Sequence, residues 1–294
     1  MFWSKLRSPE ARRRRRRVVT LVAGGVLASA VVVATVTIVT LSRPAAQITS
    51  IDVRGSESLD PERLTTFLFD ELAGRHFGLI PKTSSPLYPR AALTASLAEH
   101  FPRIQELSVR LTDPQTLRVN LTERTPAALW CGDIVPVGER PGHCYFMDGR
   151  GFIYARAPTF SGDPFERFYG PLTHGTPEGQ QFVAPAEFVR LRAFWEELRA
   201  RAVPIESVLI VDEENLELYH EAGPRLLVSR TDDLAEVAAA IPLVLANERL
   251  AGEALAEVAY IDLRFGNKVY LKDAAEPQEV GRSTPSTGQE AAER

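Results

Sequence analysis

An uncharged stretch of 24 residues, Val18 to Leu41, directly follows a run of six arginines, Arg12 to Arg17. A helix rises about 1.5 Å per residue, so this stretch would reach roughly 36 Å and cross a hydrocarbon core of about 30 Å. Positive charge stays on the cytoplasmic side of a membrane. The sequence therefore predicts a basic cytoplasmic tail at residues 1–17, a single transmembrane helix at residues 18–41 in contact with membrane lipid, and an extracytoplasmic remainder.

Two other interpretations of the same segment stay open. The small residues Ala28, Ser29 and Ala30 resemble a signal-peptidase site, and paired arginines also open twin-arginine export signals. Cleavage there would leave a chain that starts on a strongly apolar terminus. A run of arginines also binds nucleic acid, but here it is short and adjoins the membrane span. An uncleaved anchor without a nucleic-acid partner is the prediction.

The first exported segment, residues 48–124, shows the pattern of one strand, two helices and two further strands. Ile51 and Val53 alternate as in a strand, and Asp60 before Pro61 is typical of a helix start. A second short helix is predicted before Pro102. Two alternating apolar runs then flank the turn signal at residues 112–115. The predicted order is β-α-α-β-β.

The second segment, residues 125–272, is rich in strand patterns. A hairpin is predicted to turn at residues 148–151, a helix at residues 186–201, and a further helix interrupted by Pro242. The fold class is therefore α+β, with a larger, mainly antiparallel β domain and flanking helices. Residues 273–294 contain almost no apolar residue, which predicts a disordered tail.

The stretch FPRIQELSVRLTDPQTLRVNLTERTPAALW resembles the core of the extracytoplasmic part of the FtsQ and DivIB family of bacterial division proteins. The matching positions are Pro102, Ile104, Pro114, Thr116, Leu117, Glu123, Arg124, Pro126, Ala128 and Trp130, with Ile48, Ile51, Val53 and Gly55 before them and YIDLRF near the end. The resemblance implies a POTRA-like domain at residues 48–124. It also implies a scaffold at the division septum of the plasma membrane that helps control septal peptidoglycan synthesis.

Cys131 and Cys144 flank a segment rich in Gly and Pro, each at the inner end of a predicted strand. Outside the cytoplasm this placement suits a disulfide across the base of a hairpin. Such a bond would reduce the entropy of the unfolded chain and stabilise the folded protein by about 3 kcal/mol. A metal or redox site is the alternative. The spacing of the pair, with His143 beside one member, fits neither CxxC nor a zinc motif.

No catalytic motif is evident in the sequence. The five histidines are scattered, and HExxH, GxSxG, the P-loop and GxGxxG are absent from the required contexts. We therefore predict a protein that is not an enzyme, with no catalytic residue, metal, cofactor or small-molecule substrate. Two rival functions stay open: a membrane-anchored extracytoplasmic enzyme, and a POTRA-bearing export or secretion component.

The last well-patterned segment is YIDLRFGNKVYLK, residues 260–272. A two-residue turn at residues 266–267 would pair Phe265 with Lys268 and mix apolar and charged residues on each face. A three-residue loop at residues 266–268 would instead pair Phe265 with Val269 and Leu263 with Leu271 and place the apolar residues on one face, so it is the prediction. The final strand would then be half-buried with a free outer edge. Such an edge accepts an added strand, whereas lysines on it also serve as protection against aggregation.

The resemblance assigns a function to this edge. In FtsQ and DivIB the last strands, after the Asp-Leu-Arg motif, receive the partner FtsB or DivIC, itself in complex with FtsL. By position, the implied partner-binding residues are Phe265, Val269, Tyr270, Leu271 and Lys272. Lys268 and Lys272 favour an acidic partner segment.

Overall fold

The computed structural model of the protein describes residues 9–136, 142–221, 223–250, 252–266 and 268–274. Of the two predicted tails, residues 1–8 and 275–294 lie outside the described residues. The chain divides into two compact units, residues 1–124 and 125–294. The described residues contain five α-helices and a large sheet, so the α+β class is confirmed.

The first unit opens with α1, a helix of 33 residues over Pro9–Leu41. It begins well before residue 18, since arginine is a good helix former and the basic run continues the helix. Among the described residues, one helix is long and apolar enough to cross a membrane, and that stretch is Arg13–Leu41. The hydroxyls of Thr35, Thr37 and Thr40 each donate to the carbonyl four residues earlier, at 2.8 Å. These polar groups therefore need no water.

The remainder of the first unit follows the order β-α-α-β-β, with a small hairpin between the two helices. Its elements are β1 (Ser50–Arg54), α2 (Pro61–Glu71), β2 (Arg75–His76), β3 (Ile80–Pro81), α3 (Arg90–His100), β4 (Ile104–Asp113) and β5 (Thr116–Glu123). The sheet order is β1-β5-β4, with β1 parallel and β4 antiparallel to β5. Strands β2 and β3 pair separately. The predicted order of the main elements is present.

Two residues of the sequence motif join the parts of this unit. The Glu123 carboxylate accepts hydrogen bonds from the backbone N–H groups of Glu57, Ser58 and Leu59, at 2.7 to 3.0 Å. Burial acts to raise the pKa of Glu123, but these bonds and one from the Ser58 hydroxyl outweigh it, and the pKa is lowered. The Arg124 Nε donates to the Pro102 carbonyl at 3.0 Å. The end of β5 is thereby fixed to the loops before α2 and β4.

Besides two 3-10 helices, Glu248–Leu250 and Gly252–Glu257, the described part of the second unit contains nine strands and two α-helices. They are β6 (Ala128–Trp130), β7 (Tyr145–Met147), β8 (Ile153–Arg156), β9 (Glu166–Tyr169), α4 (Pro185–Ala200), β10 (Ile205–Ile210), β11 (Asn215–His220), β12 (Arg225–Ser229), α5 (Leu234–Leu245), β13 (Val258–Phe265) and β14 (Lys268–Asp273). The strands form a nine-stranded sheet in the order β14-β13-β12-β11-β10-β9-β6-β7-β8. The sheet is mixed.

Five of the eight neighbouring strand pairs in this sheet are antiparallel, in agreement with the predicted mainly antiparallel domain, and three are parallel. Strand β9 is parallel to both β6 and β10, and β12 is parallel to β13. Helix α4 connects β9 to β10 and α5 connects β12 to β13. A parallel connection needs such a crossover, because the chain must return to the same end of the sheet. The helices were expected as flanking elements; their role as crossovers was not.

The main core of the second unit lies under these two helices. On α4 the predicted apolar stripe is buried: Phe188, Leu191, Phe194, Trp195 and Leu198. On α5 the buried residues are Leu234, Ala238 and Ile241. Pro242 lies within α5 and does not interrupt it. Pro242 lacks the N–H that would donate to the Ala238 carbonyl, and the helix continues past it to Leu245.

The last hairpin differs from its predicted register. Phe265 pairs with Lys268 and Ile261 with Leu271, so the three-residue loop that places Phe265 opposite Val269 is wrong. The ladder shifts between Asp262 and Phe265, which marks a β-bulge. The expectation of a half-buried last strand is also wrong, since all six residues of β14 are exposed.

Candidate functional site

Strand β14 is the outermost strand at one end of the nine-stranded sheet, and its neighbour is β13. In the part of the chain that the structure describes, no strand pairs with its outer side. The strand therefore presents a row of backbone N–H and C=O groups to solvent. Such a row is a template for pairing with another chain.

The other end of the same sheet is covered. Beyond β8, the N–H of Ile153 donates to the Gln180 carbonyl and the N–H of Gly179 donates to the Ile153 carbonyl, both at 2.9 Å. Phe152 and Gln181 add an antiparallel bridge. The chain thus satisfies the backbone of β8 with its own residues, whereas β14 has no such cover among the described residues.

The five predicted partner-binding residues lie together on this edge. Phe265 ends β13, while Val269, Tyr270, Leu271 and Lys272 belong to β14. Phe265 is 55% exposed and Tyr270 is 51% exposed, and their rings contact edge to face with centroids 5.1 Å apart. Exposed aromatic and aliphatic side chains beside a free ladder are the groups that an added strand would cover.

Because of the bulge, Phe265 lies on the opposite face of the sheet from the one predicted. Directly paired residues share a face, so Phe265 lies on the face of Lys268, and by alternation on the face of Tyr270 and Lys272. Val269 and Leu271 point to the other face, on which Ile261 is buried in the core. Without the bulge Phe265 would join the core face.

Asp262 and Arg264 explain the bulge. Asp262 Oδ1 accepts from the backbone N–H of Arg264 at 3.1 Å, and the guanidinium donates to both carboxylate oxygens at 2.9 and 2.6 Å. Arg264 Nη1 also donates to Asn215 Oδ1 on β11, at 2.7 Å. The Arg264 hydrogen bond holds the pKa of Asp262 below its usual value, against the effect of burial, and Asp262 raises the pKa of Arg264.

This network was missed in the sequence, although Asp262 and Arg264 form the Asp-Leu-Arg motif that carries part of the resemblance. The available signal was the spacing of two residues, which places the carboxylate and the guanidinium on one face of a strand. The contact of the carboxylate with the backbone N–H of its own strand is what turns this pair into a bulge. Asp262 and Arg264 lie on β13, the strand that pairs with β14, and so determine how the edge is arranged.

Positive charge lies along the face that carries the aromatic residues. Lys268 and Lys272 alternate with Tyr270 on β14, and the Lys272 Nζ lies 5.7 Å from the centroid of the Tyr260 ring. Lys272 and Tyr260 are directly paired across the hairpin. A cation over an aromatic ring is held in place without losing its charge. The edge therefore combines aromatic surface with fixed positive charge.

The two cysteines lie away from this edge. The structure joins Cys131 and Cys144 in a disulfide, with Cα atoms 4.1 Å apart, directly beyond the paired residues Trp130 and Tyr145 of β6 and β7. The bond closes the base of that hairpin. Trp130, a residue of the sequence motif, donates its indole N–H to the Gly170 carbonyl at 3.0 Å. Both features lie in the half of the sheet that ends in β8, away from β14.

Titratable groups elsewhere in the unit are arranged in charge pairs. Burial raises the pKa of Glu166, although Arg192 at 2.9 Å and Arg199 at 3.4 Å, both on α4, pair with it. A cavity of about 790 Å³ beside Cys144 contains Arg156, which contacts His143, and Arg167, which pairs with Glu206 at 3.5 Å. Among the described residues, no group of three or more His, Cys, Asp or Glu is placed to hold a metal ion.

Comparison of the sequence with known proteins identified no relative. No protein-family model matches the chain, and no curated protein matches it. The feature that offers most to another molecule is the outer edge of β14, which no described strand pairs with and which carries an exposed aromatic pair and two lysines.

Proposed function

We propose that the protein is a membrane-anchored, non-enzymatic scaffold of the bacterial division machinery, of the FtsQ and DivIB type. The observation that carries the proposal is the outer edge of β14, exposed along its whole length and unpaired within the described chain. The proposed partners are an FtsB- or DivIC-like protein and an FtsL-like protein, captured at the septum in the plasma membrane. Through them the scaffold helps control septal peptidoglycan synthesis.

The first unit supports this proposal through its organisation. A helix of membrane-spanning length precedes a β-α-α-β-β arrangement in which the first strand is parallel to the last and lies beside it. This is the arrangement expected of a POTRA-like domain after a single anchor. In the proposal the arginine-rich end is cytoplasmic and both units are extracytoplasmic.

The edge also suggests the chemistry of the partner. An added strand would form backbone hydrogen bonds with β14 and place alternate side chains on the two faces of the sheet. On one face its side chains meet Lys268, Tyr270 and Lys272; on the other they meet Val269 and Leu271. The partner strand is therefore expected to alternate acidic or aromatic residues with aliphatic ones.

The change Tyr270→Glu tests the edge directly. It removes an exposed aromatic anchor and introduces a carboxylate, so we expect partner affinity to fall by about 2 kcal/mol, or roughly 30-fold in Kd. Co-purification of the partner from detergent-solubilised membranes measures the loss. The matched control is Val189→Glu on α4, which places the same charge at another exposed apolar position of this unit. Equal capture by both variants contradicts the proposal.

Proline substitutions separate backbone pairing from side-chain contact. At successive positions of an edge strand, one N–H points to the neighbouring strand and the next points outward. Of Val269→Pro and Tyr270→Pro, one therefore removes a bond to β13 and the other removes only an outward donor. The variant that removes only the outward N–H should keep the wild-type melting temperature but no longer bind the partner. Retained capture by both folded variants excludes strand addition.

The cellular role has a separate test. Depletion of the protein in its own bacterium should give long filaments without septa, visible by light microscopy. Re-expression of the wild type should restore division, and the Tyr270→Glu variant should insert in the membrane without restoring it. Normal septation after depletion counts against a division role, whatever partner the edge binds.

A further inference from the structure

The short hairpin of β2 and β3 carries apolar side chains that nothing in the described chain covers. Phe77, at its tip, is 98% exposed, and Leu79 is 56% exposed. Leu87, shortly after the hairpin, is exposed as well. Single exposed apolar residues are ordinary, but a fully exposed aromatic ring at a turn gains no packing from the fold.

The backbone at the tip makes the choice of phenylalanine unusual. The Leu79 N–H donates to the His76 carbonyl at 3.0 Å, which closes a turn around Phe77 and Gly78. Both central residues have positive φ, +51° and +74°. This geometry is that of a type I′ turn, whose first central position favours Asn, Asp or Gly. The positive φ is unfavourable for phenylalanine, and the exposed Phe77 ring gains no packing within the described protein that would offset this cost.

The hairpin is fixed next to the end of the membrane-spanning helix. Strand β3 lies against α1, and Ile38 and Leu41 in the last turn of α1 are half-buried, unlike the exposed side chains before them. The segment after β3 is bonded to the segment after α1: Ile48 N–H donates to the Thr83 carbonyl and Ser85 N–H to the Ala46 carbonyl, both at 2.8 Å. The hairpin therefore lies where α1 leaves the bilayer.

The charge around the hairpin is positive. From Leu72 to Ala98 the chain contains Arg75, Lys82 and Arg90 and no Asp or Glu. Arg75 folds over the turn and donates to the Leu79 carbonyl at 3.1 Å. Aromatic residues flanked by cations are typical of the boundary between lipid headgroups and acyl chains, and cations there are attracted to anionic lipid.

We propose that the hairpin Arg75–Lys82 is a second membrane contact, in which Phe77 and Leu79 enter the headgroup region and the neighbouring cations bind anionic lipid. The occupant of this surface is the lipid bilayer in which α1 is embedded. The inference rests on the membrane anchoring in the proposed function. It adds a contact that holds the first unit close to the bilayer surface at the exit of its helix.

The full-length protein with Phe77→Cys, reconstituted in vesicles of phosphatidylcholine and phosphatidylglycerol, provides the test. Because Cys131 and Cys144 are paired with each other, an environment-sensitive fluorophore attaches only at position 77. We expect a blue shift of its emission and quenching by spin-labelled lipid. The control is Val189→Cys on α4, an exposed apolar position that should show neither. Emission at position 77 equal to that control overturns the inference.

Flotation of the same vesicles separates this inference from the anchoring it rests on. Protein that floats with the vesicles but shows no quenching at position 77 refutes the hairpin contact alone. Protein that does not float refutes the membrane anchor itself. Quenching in phosphatidylcholine alone should be weaker than in the mixture, and equal quenching overturns the part assigned to the cations.

A second variant distinguishes lipid contact from a structural role of Phe77. Phe77→Asn supplies a residue that the turn prefers, so the melting temperature should stay equal or rise. With the fluorophore at Leu79→Cys, the same substitution should abolish most of the blue shift. An unchanged shift at position 79 contradicts the assignment of the aromatic ring to the bilayer.

Discussion

At the scale of single residues, Asp262 and Arg264 shape the proposed binding edge without belonging to it. Asp262 is buried and bonded to the backbone and the side chain of Arg264, and Arg264 reaches Asn215. The bulge that follows places the Phe265 ring against Tyr270. A polar pair that shapes its own strand in this way positions the aromatic contact of the edge.

Replacing Asp262 with Asn should therefore destabilise the second unit in a pH-dependent way. At neutral pH we expect a loss of about 2 kcal/mol, since hydrogen bonds to a charged partner are removed. The folded protein holds the pKa of Asp262 below its unfolded value of 3.8, so the wild type keeps this stability above that value and loses it as the pH falls through the folded pKa. Urea unfolding at pH 7 and pH 3 measures the difference between wild type and variant. A difference that is the same at both values contradicts the assignment.

At the scale of elements, what the sequence predicted depended on the range of the interactions. The stripe on α4 and the hairpin of β7 and β8 follow from local periodicity and turn residues, and both are present. The predicted register of β13 and β14 was wrong, because it assumed strict alternation of side chains along both strands. The bond from the Arg264 N–H to the Asp262 side chain breaks that alternation. The order of strands in the large sheet was not predicted, since crossovers by α4 and α5 place distant segments side by side.

The hairpin of β6 and β7 offers a test at this scale. Replacing Cys131 with Ser opens the loop that the disulfide closes, so we expect a loss of about 3 kcal/mol and a melting temperature roughly 5–10 °C lower. The wild type in reducing agent should melt at the temperature of the variant, and the variant should be insensitive to the agent. Calorimetry of residues 42–294 measures wild type and variant, each with and without reducing agent. Equal melting temperatures for oxidised wild type and variant exclude a stabilising bond.

At the scale of the whole molecule, the free edge is useful only on the side of the membrane where its partner lies. Residues 1–17 carry eight Lys or Arg and one Glu, while the full chain has a net charge of −4. Positive charge is thus concentrated at the N-terminal end of α1. Among the first ten residues after the helix, 42–51, Arg43 is the only Lys or Arg. The proposed function requires the arginine-rich end to be cytoplasmic, and the positive-inside rule predicts that orientation from this asymmetry.

Changing Arg12 to Arg17 into glutamine should reduce or invert that orientation. Alkaline phosphatase fused after Arg294 is active only where its disulfides form, so it reports export of this end. We expect high activity for the wild-type fusion and activity several-fold lower for the six-glutamine variant, because only Lys5 and Arg7 then remain before α1, against Arg43 after it, and the charge difference between the two sides is small. Arg43→Gln is the matched control: it removes a cation from the opposite side and should leave activity unchanged. If the six-glutamine fusion is as active as the wild type, the arginine run does not orient the protein, and the placement of the β14 edge outside the cytoplasm loses its physical basis.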